Sequence, residues 1–433
     1  MSQAHRANNV IKAEQSAARA VLAGGIGNVL EQYDNLIYAY SAVLLGKLFF
    51  STTDPVSGLL ATFGVFAVGF LMRPLGALFF GSMGDRFGRR RALVLSVSLM
   101  AACTTAIGLL PTYHNIGVVA TMLLVLLRLL QGFSVGGEWA GSTAFIVEYA
   151  PAAKRGLYGS FQQVSTAVGF LLAAGVSAGM ASAFSETERL AWAWRVPFLL
   201  AALTGVAALY LRLGIQETPR FEAAVAENEV VSNPLRASIR TQFPNIARGF
   251  GFTLLWTVAY FLFLTFIPTY LTQYNKVDAG AATRSATFGI ALFAVLIPFA
   301  GALSDRVGRR PLLLASAVGF VVLSWPVLAW MGTGGTAAIY GGWVVLAVLL
   351  ALFSGPGPAA LAEMFPTAVR YSALSIGYNV AVAAFGGTAP LLAVWLIKVT
   401  SLTTSPAFIA MTAAVITTGV VASMSETYRG ALR

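Results

Sequence analysis

The sequence predicts an all-α polytopic membrane protein, with twelve membrane-crossing helices arranged as two pseudo-symmetric six-helix bundles. Three observations predict it. The 433 residues are 57% hydrophobic and only 10% charged, where a soluble domain carries roughly 25% charge. Apolar runs of about 20 residues, each long enough to cross a hydrocarbon core as a helix, follow one another along the chain. Three groups of residues in the first half recur in order in the second, the mark of an internal duplication.

The predicted crossings in the first half cover residues 21–48, 57–82, 92–111, 117–146, 157–182 and 193–213. Those in the second half cover 249–273, 285–303, 311–331, 337–360, 371–398 and 405–425. The expected organisation is a tail (1–20), a first bundle (21–213), a polar linker (214–248), a second bundle (249–425) and a short tail (426–433). The first apolar run carries Glu31 and Asp34. It is too long and too charged for a cleaved leader and reads as a retained helix.

The net charge of +11 is a matter of topology. Twenty of the 28 basic residues fall on the side of the termini. Six fall on the other side (Lys47, Arg189, Arg195, Lys276, Arg284 and Lys398), and Arg73 and Arg128 lie within crossings. An excess of Lys and Arg on one side marks the cytoplasmic face, so both termini are expected inside and nucleic-acid binding is not. The lone Cys103 cannot form an internal disulfide, and His5 and His114, expected in a tail and a short outer loop, do not support a metal site. Neither a cofactor nor a metal is expected; the bilayer surrounds the chain, and a monomer suffices.

The repeats carry most of the information. Gly81, Asp85, Arg86, Gly88, Arg89 and Arg90 recur as Gly301, Asp305, Arg306, Gly308, Arg309 and Arg310, at an offset of 220. Glu148, Pro151 and Arg155 recur as Glu363, Pro366 and Arg370, at an offset of 215. Glu217 and Arg220 recur as Glu426 and Arg429, at an offset of 209. All sit where helices reach the side of the termini. Acid–guanidinium pairs among them would latch that end, and breaking the pairs would let the halves rock about a central site. A plainer reading is that the charges only mark the interface and aid insertion.

These loops, with Arg128-Leu129-Leu130-Gln131-Gly132, resemble the signatures of the major facilitator superfamily. More narrowly, Gly27-Asn28 through Glu31 and Asp34, Gly69 through Arg73-Pro74 and Gly76, and Gln131-Gly132 through Gly136-Gly137-Glu138 resemble the metabolite–proton symporters. So do Trp194-Arg195 with Pro197-Phe198, and Ala384-Phe385-Gly386-Gly387. The resemblance implies a transporter of the bacterial inner membrane, driven by the proton gradient, that imports citrate, 2-oxoglutarate, shikimate, proline or betaine. Osmosensing betaine carriers often end in a long coiled coil; here about ten residues follow the last crossing. That points to a small carboxylate, such as a di- or tricarboxylate. A proton-antiport exporter of a metabolite, siderophore or drug is the alternative on the same scaffold, and a non-transporting sensor is a third.

Glu31 and Asp34 are three residues apart, hence on one helix face near mid-bilayer. A charge there costs on the order of 2.5–3.5 kcal/mol on insertion scales and calls for a partner, expected to be Arg128 in helix 4. Either the group carries protons and substrate, or it is a permanent structural triad. Arg73 and Glu138, at matched depth on helices 2 and 4, are expected to form a second pair, with Glu138 a proton relay or a static ion partner. Tyr33, Tyr38, Gln162, Gln163, Trp256, Tyr260, Tyr378 and Asn379 are candidates for the substrate cavity. Gly132-Phe133-Ser134-Val135-Gly136 matches a hydrolase nucleophile elbow, but that device needs a strand-to-helix turn and a histidine, so no enzyme is expected. The glycines suit close helix packing instead. Gly355-Pro356-Gly357-Pro358 should bend or break helix 10.

Overall fold

The computed structural model describes residues 3–50, 55–214, 216–227, 231–428, 430 and 432. Among these the chain is helical throughout its ordered elements. In the first half, α1 (Gln3–Tyr40, continued by Ala42–Phe49), α2 (Pro55–Phe87), α3 (Arg89–Leu109), α4 (Val118–Tyr149), α5 (Arg155–Ala183) and α6 (Arg195–Leu213) form one six-helix bundle. In the second, α7 (Pro234–Ala259, continued to Tyr274), α8 (Ala279–Val307), α9 (Arg309–Met331), α10 (Thr336–Ser354, resumed at Gly357–Glu363), α11 (Arg370–Phe385, resumed at Thr388–Thr400) and α12 (Pro406–Ser423) repeat the arrangement.

Ten of these stretches, α3 to α12, are long and apolar enough to cross a membrane; α1 and α2 supply the other two predicted crossings. Outward-facing Leu71, Leu75, Leu203, Val206, Leu391 and Val399 are left exposed by the bundle, a surface that lipid covers.

Three departures from the sequence reading have local causes. First, α1 starts well before residue 21. Second, the linker at 214–248 is largely helical. Thr218 accepts from the Phe221 N–H at 3.2 Å and precedes Pro219, starting a short linker helix, Pro219–Ala226. Asn233 accepts from the Arg236 N–H at 3.1 Å and precedes Pro234, starting α7 some 15 residues before the drawn crossing. Both are N-cap side chains followed by proline at the first helical position. Third, α7 widens into π turns over Tyr260–Phe266 and Tyr270–Tyr274. Helix 10 breaks where expected, between Ser354 and Gly357.

Helices α2 and α4 meet backbone to backbone. A Cβ on Gly76 would fall on the backbone of Phe133, one on Gly132 on that of Gly69, and one on Gly136 on Arg73 O and 2.6 Å from Ala77 N. Backbone atoms cannot step aside as side chains do. Gly136→Ala should therefore cost about 1–3 kcal/mol or more through overpacking, read as a lowered unfolding midpoint of the purified protein. Gly175→Ala on α5, where a Cβ meets nothing within 4 Å, is the control and should be neutral or slightly stabilising.

Candidate transport site

The helix 1 acids are buried, and each has its own guanidinium. Glu31 accepts from Arg73 of α2 at 3.2 Å. Asp34 lies 3.6 Å from Arg128 of α4, and Gln131, one turn further along α4, bridges them: it accepts from Arg128, and its amide donates to Asp34 and to Thr104 of α3, the latter at 2.8 Å. The guanidinium of Arg128 lies 3.6 Å from the Tyr38 ring centroid and that of Arg73 4.5 Å from that of Phe70. One oxygen of each carboxylate, Glu31 Oε2 and Asp34 Oδ1, is buried with no hydrogen-bond partner among the described residues. A buried acceptor left open is where a proton or a donor from a ligand can be received.

This corrects two expectations. Glu31 does not share Arg128 with Asp34, and Arg73 does not pair with Glu138. Glu138 turns to the other side of α4, where Arg212 of α6 grips both its oxygens and Ser96 of α3 donates at 2.9 Å. Arg212 also donates to Ala23 O at 3.0 Å and Leu93 O at 2.5 Å, so this pair ties α1, α3, α4 and α6 together inside the first half. Gly27 lies under it, and a Cβ there would strike both partners. Arg212, one of the twenty basic residues that the sequence places on the side of the termini, is fully buried. Both oxygens of Glu138 are thus engaged within the first half.

The cavity candidates divide. Tyr33 donates to Pro197 O at 2.7 Å, toward α6, and Tyr38 supports Arg128 while donating to Thr62 O at 3.3 Å. Both serve the inside of the first bundle. The others meet where the halves join. Tyr260 donates to Gln163 at 2.6 Å and Gln163 to Gln162 at 2.5 Å, while Asn28 donates to Gln162 O at 3.0 Å. Asn379 donates to Gly136 O at 2.8 Å and Trp256 to Ser354 at 3.0 Å. Trp139 of α4 stacks on Tyr378 of α11 with centroids 3.8 Å apart and planes at 4°, and Trp256 of α7 meets it edge-on at 5.5 Å. Trp139 and Asn28 were not singled out from sequence as cavity residues. A tryptophan in an apolar helix reads as packing, and only its neighbour Glu138 drew notice.

At the end of the bundle that carries the repeated loops, here called the basic end, the halves are fastened symmetrically. Asp85 accepts from the Tyr371 and Ser372 N–H groups at 3.2 and 2.7 Å, at the start of α11. Asp305 accepts from Gly156 and Leu157 at 2.8 and 2.9 Å, at the start of α5. A carboxylate at a helix N-terminus is well placed against its open N–H groups. Gly81 and Gly301 allow the approach: a Cβ on them would lie 2.9 Å from Ser372 Cα and 2.6 Å from Gly156 O. Glu148 accepts from Arg370 at 2.7 Å, with Arg89 at 3.5 Å; Glu363 accepts from Arg155 and Arg309, each at 3.3 Å. Arg89 and Arg309 also hold Asp85 and Asp305 at 3.0 and 2.6 Å.

The remaining loop residues act differently from the sequence reading. Glu217 and Glu426 do not bridge the halves. They accept from the backbone N–H groups of Arg89 and Arg90, and of Arg309 and Arg310, at 2.9–3.1 Å, capping α3 and α9. Burial works against the charge of Glu426, but four backbone N–H groups hold its carboxyl below the usual range. For Glu217, burial prevails and raises it. The chain turns toward each cap through Gly88 and Gly308, at φ 105° and 106°, where a side chain is strained and a Cβ would meet the glutamate. Arg90 and Arg310 donate to Leu213 O and Ala422 O at 2.6 and 2.5 Å, and Arg86 and Arg306 are exposed. The side chain of Arg220, and Arg429, lie outside the described residues.

The sugar (and other) transporter family profile matches residues 20–247 and 238–432. The chain belongs to this transporter family of the major facilitator superfamily. The proline/betaine transporter of Escherichia coli (strain K12) is 37% identical over 422 residues, covering 94% of this chain and 83% of that one. The glycine betaine/proline/ectoine/pipecolic acid transporter OusA of Dickeya dadantii (strain 3937) is 36% identical over 414 residues, covering 92% and 81%. Among solved structures, the proton:xylose symporter XylE bound to 6-bromo-6-deoxy-D-glucose superposes with a TM-score of 0.81 at 18% identity, over 97% of this chain and 98% of that one. This family member is thus a multi-pass membrane transporter of major facilitator fold.

Proposed function

We propose that the protein is a proton-coupled symporter that imports a small zwitterion of the proline or betaine kind across the bacterial inner membrane, with both termini in the cytoplasm. The observation that carries this reading is the pair of buried carboxylate–guanidinium contacts, Glu31–Arg73 and Asp34–Arg128, each with an open carboxylate oxygen. A carboxylate that exchanges its guanidinium for a proton as a substrate carboxylate takes the guanidinium is the exchange a symporter needs. Trp139, Trp256 and Tyr378, drawn from both halves, cover one another's faces; parting the halves would bare faces of the kind that attract a substituted ammonium group.

The di- or tricarboxylate expected from sequence gives way here. Arg73 and Arg128, the basic residues within the crossings, each already face an acid, as does the buried Arg212. A single substrate carboxylate with its own cation fits that balance better, and the relatives are named for such compounds. The fastened basic end would be the closed cytoplasmic gate. Undoing Asp85, Asp305, Glu148–Arg370 and Glu363–Arg155 together would free the halves to rock. Each net positive charge carried inward gains roughly 2.3 kcal/mol per 100 mV of inside-negative potential.

The test is uptake of labelled betaine, proline, citrate, 2-oxoglutarate and shikimate into proteoliposomes under an acid-outside gradient. Accumulation of betaine or proline that collapses with a protonophore is expected. Accumulation of citrate alone would overturn the substrate, and uptake indifferent to the gradient would overturn the coupling.

A further inference from the structure

The basic end holds a cleft that the gate does not use. Arg86, Phe87, Arg90, Arg91, Glu217, Phe221 and Val225 line an open cleft of about 560 Å³ between the ends of α2, α3 and the linker helix. Three guanidiniums face one carboxylate there, and that carboxylate is engaged. Both Glu217 oxygens accept from the backbone of α3, at 3.1 Å each. Arg90 is anchored on the last carbonyls of α6. Arg86 and Arg91 are exposed and have no acidic partner among the described residues.

We propose that this cleft binds the headgroup of an anionic phospholipid, with the phosphate between Arg86, Arg90 and Arg91. Charge complementarity favours an anion, since guanidinium suits phosphate geometry. The rim favours a lipid over a dissolved anion. Phe87 and Val225 are about half exposed, at 49% and 50%, and Leu213 and Tyr210, on the turn of α6 that Arg90 grips, are 53% and 78% exposed. That gives acyl chains an apolar track from the cleft to the helical wall. The basic end, on the expected topology, lies at the leaflet rich in anionic lipid. The corresponding place in the second half has Pro311 where the first has Arg91, so Arg306 stands with one guanidinium fewer.

The measurement is native mass spectrometry of the full chain in detergent, titrated with phosphatidylglycerol or phosphatidylcholine of the same acyl chains, and separately with inorganic phosphate. Phosphatidylglycerol should bind more tightly than phosphatidylcholine. Loss of two surface arginines should weaken it about thirtyfold in Arg86→Ala/Arg91→Ala, and loss of one about fivefold in Arg91→Gln. Arg306→Ala should leave it unchanged. Should the double variant fail to fold, Arg91→Gln carries the test. Equal binding of the two lipids, or parent-like binding by the variants, would overturn the proposal. Inorganic phosphate that binds as tightly as phosphatidylglycerol and displaces it would also overturn it, in favour of a soluble anion.

Discussion

Asp34→Asn should abolish gradient-driven accumulation and leave substrate exchange intact. The two acids of α1 are not equivalent. Glu31 accepts directly from Arg73 at 3.2 Å, whereas Asp34 lies 3.6 Å from Arg128 and is joined to it through Gln131. The looser, amide-bridged pair is the easier to neutralise without moving a helix. Asparagine keeps the volume and an oxygen for the Gln131 amide, but it cannot take up or give back a proton. One proton per substrate and one pH unit of gradient support about tenfold accumulation, since a pH unit is worth about 1.4 kcal/mol. The parent should approach that ratio in proteoliposomes, and Asp34→Asn should stay at unity while exchanging labelled for unlabelled substrate. Glu31→Gln should keep the ratio and bind substrate differently, because Arg73 loses its counter-ion. An Asp34→Asn protein that still accumulates substrate would move the coupling to Glu31.

The pattern of success in the sequence reading has a physical basis. Residue spacing encodes depth along a helix, so depth is legible in sequence. Arg73 and Glu138 do lie at one level, because Gly136 packs against the Arg73 carbonyl. Spacing says less about which way a helix is turned, and partners depend on that. Arg73 points to α1 and Glu138 to α3 and α6, so the predicted pair does not form. The duplicated loops were legible for the opposite reason. Two copies with the same spacing must do the same thing twice, and Asp85 and Asp305 do meet equivalent helix starts in opposite halves. Glu217 and Glu426 escaped because a carboxylate that caps a backbone and one that binds an arginine look alike in sequence. The Trp139–Tyr378 stack needs both halves assembled before it exists at all.

Arg212→Met should destabilise the protein by about 3–5 kcal/mol, the cost of leaving a buried carboxylate without its partner. Arg212 lies against Glu138, Ala23 and Leu93 at once, so four helices of the first half lose their common contact when it goes. Glu138→Gln removes the other partner and should also be destabilising, by an amount that reflects the stranded guanidinium. The double variant Glu138→Gln/Arg212→Met separates structure from proton traffic. With both charges gone, no buried ion lacks a partner, and the amide that replaces the carboxylate can still accept from Ser96; the penalty of a stranded buried charge is then absent. Its unfolding midpoint should therefore recover most of what Arg212→Met loses. If Glu138 only holds the bundle, the recovered protein also regains gradient-driven accumulation. If Glu138 passes protons between the central site and the basic end, the double variant is stable yet uncoupled, like Asp34→Asn. The engagement of both Glu138 oxygens, by Ser96 and both Arg212 nitrogens, argues for recovery of both stability and coupling.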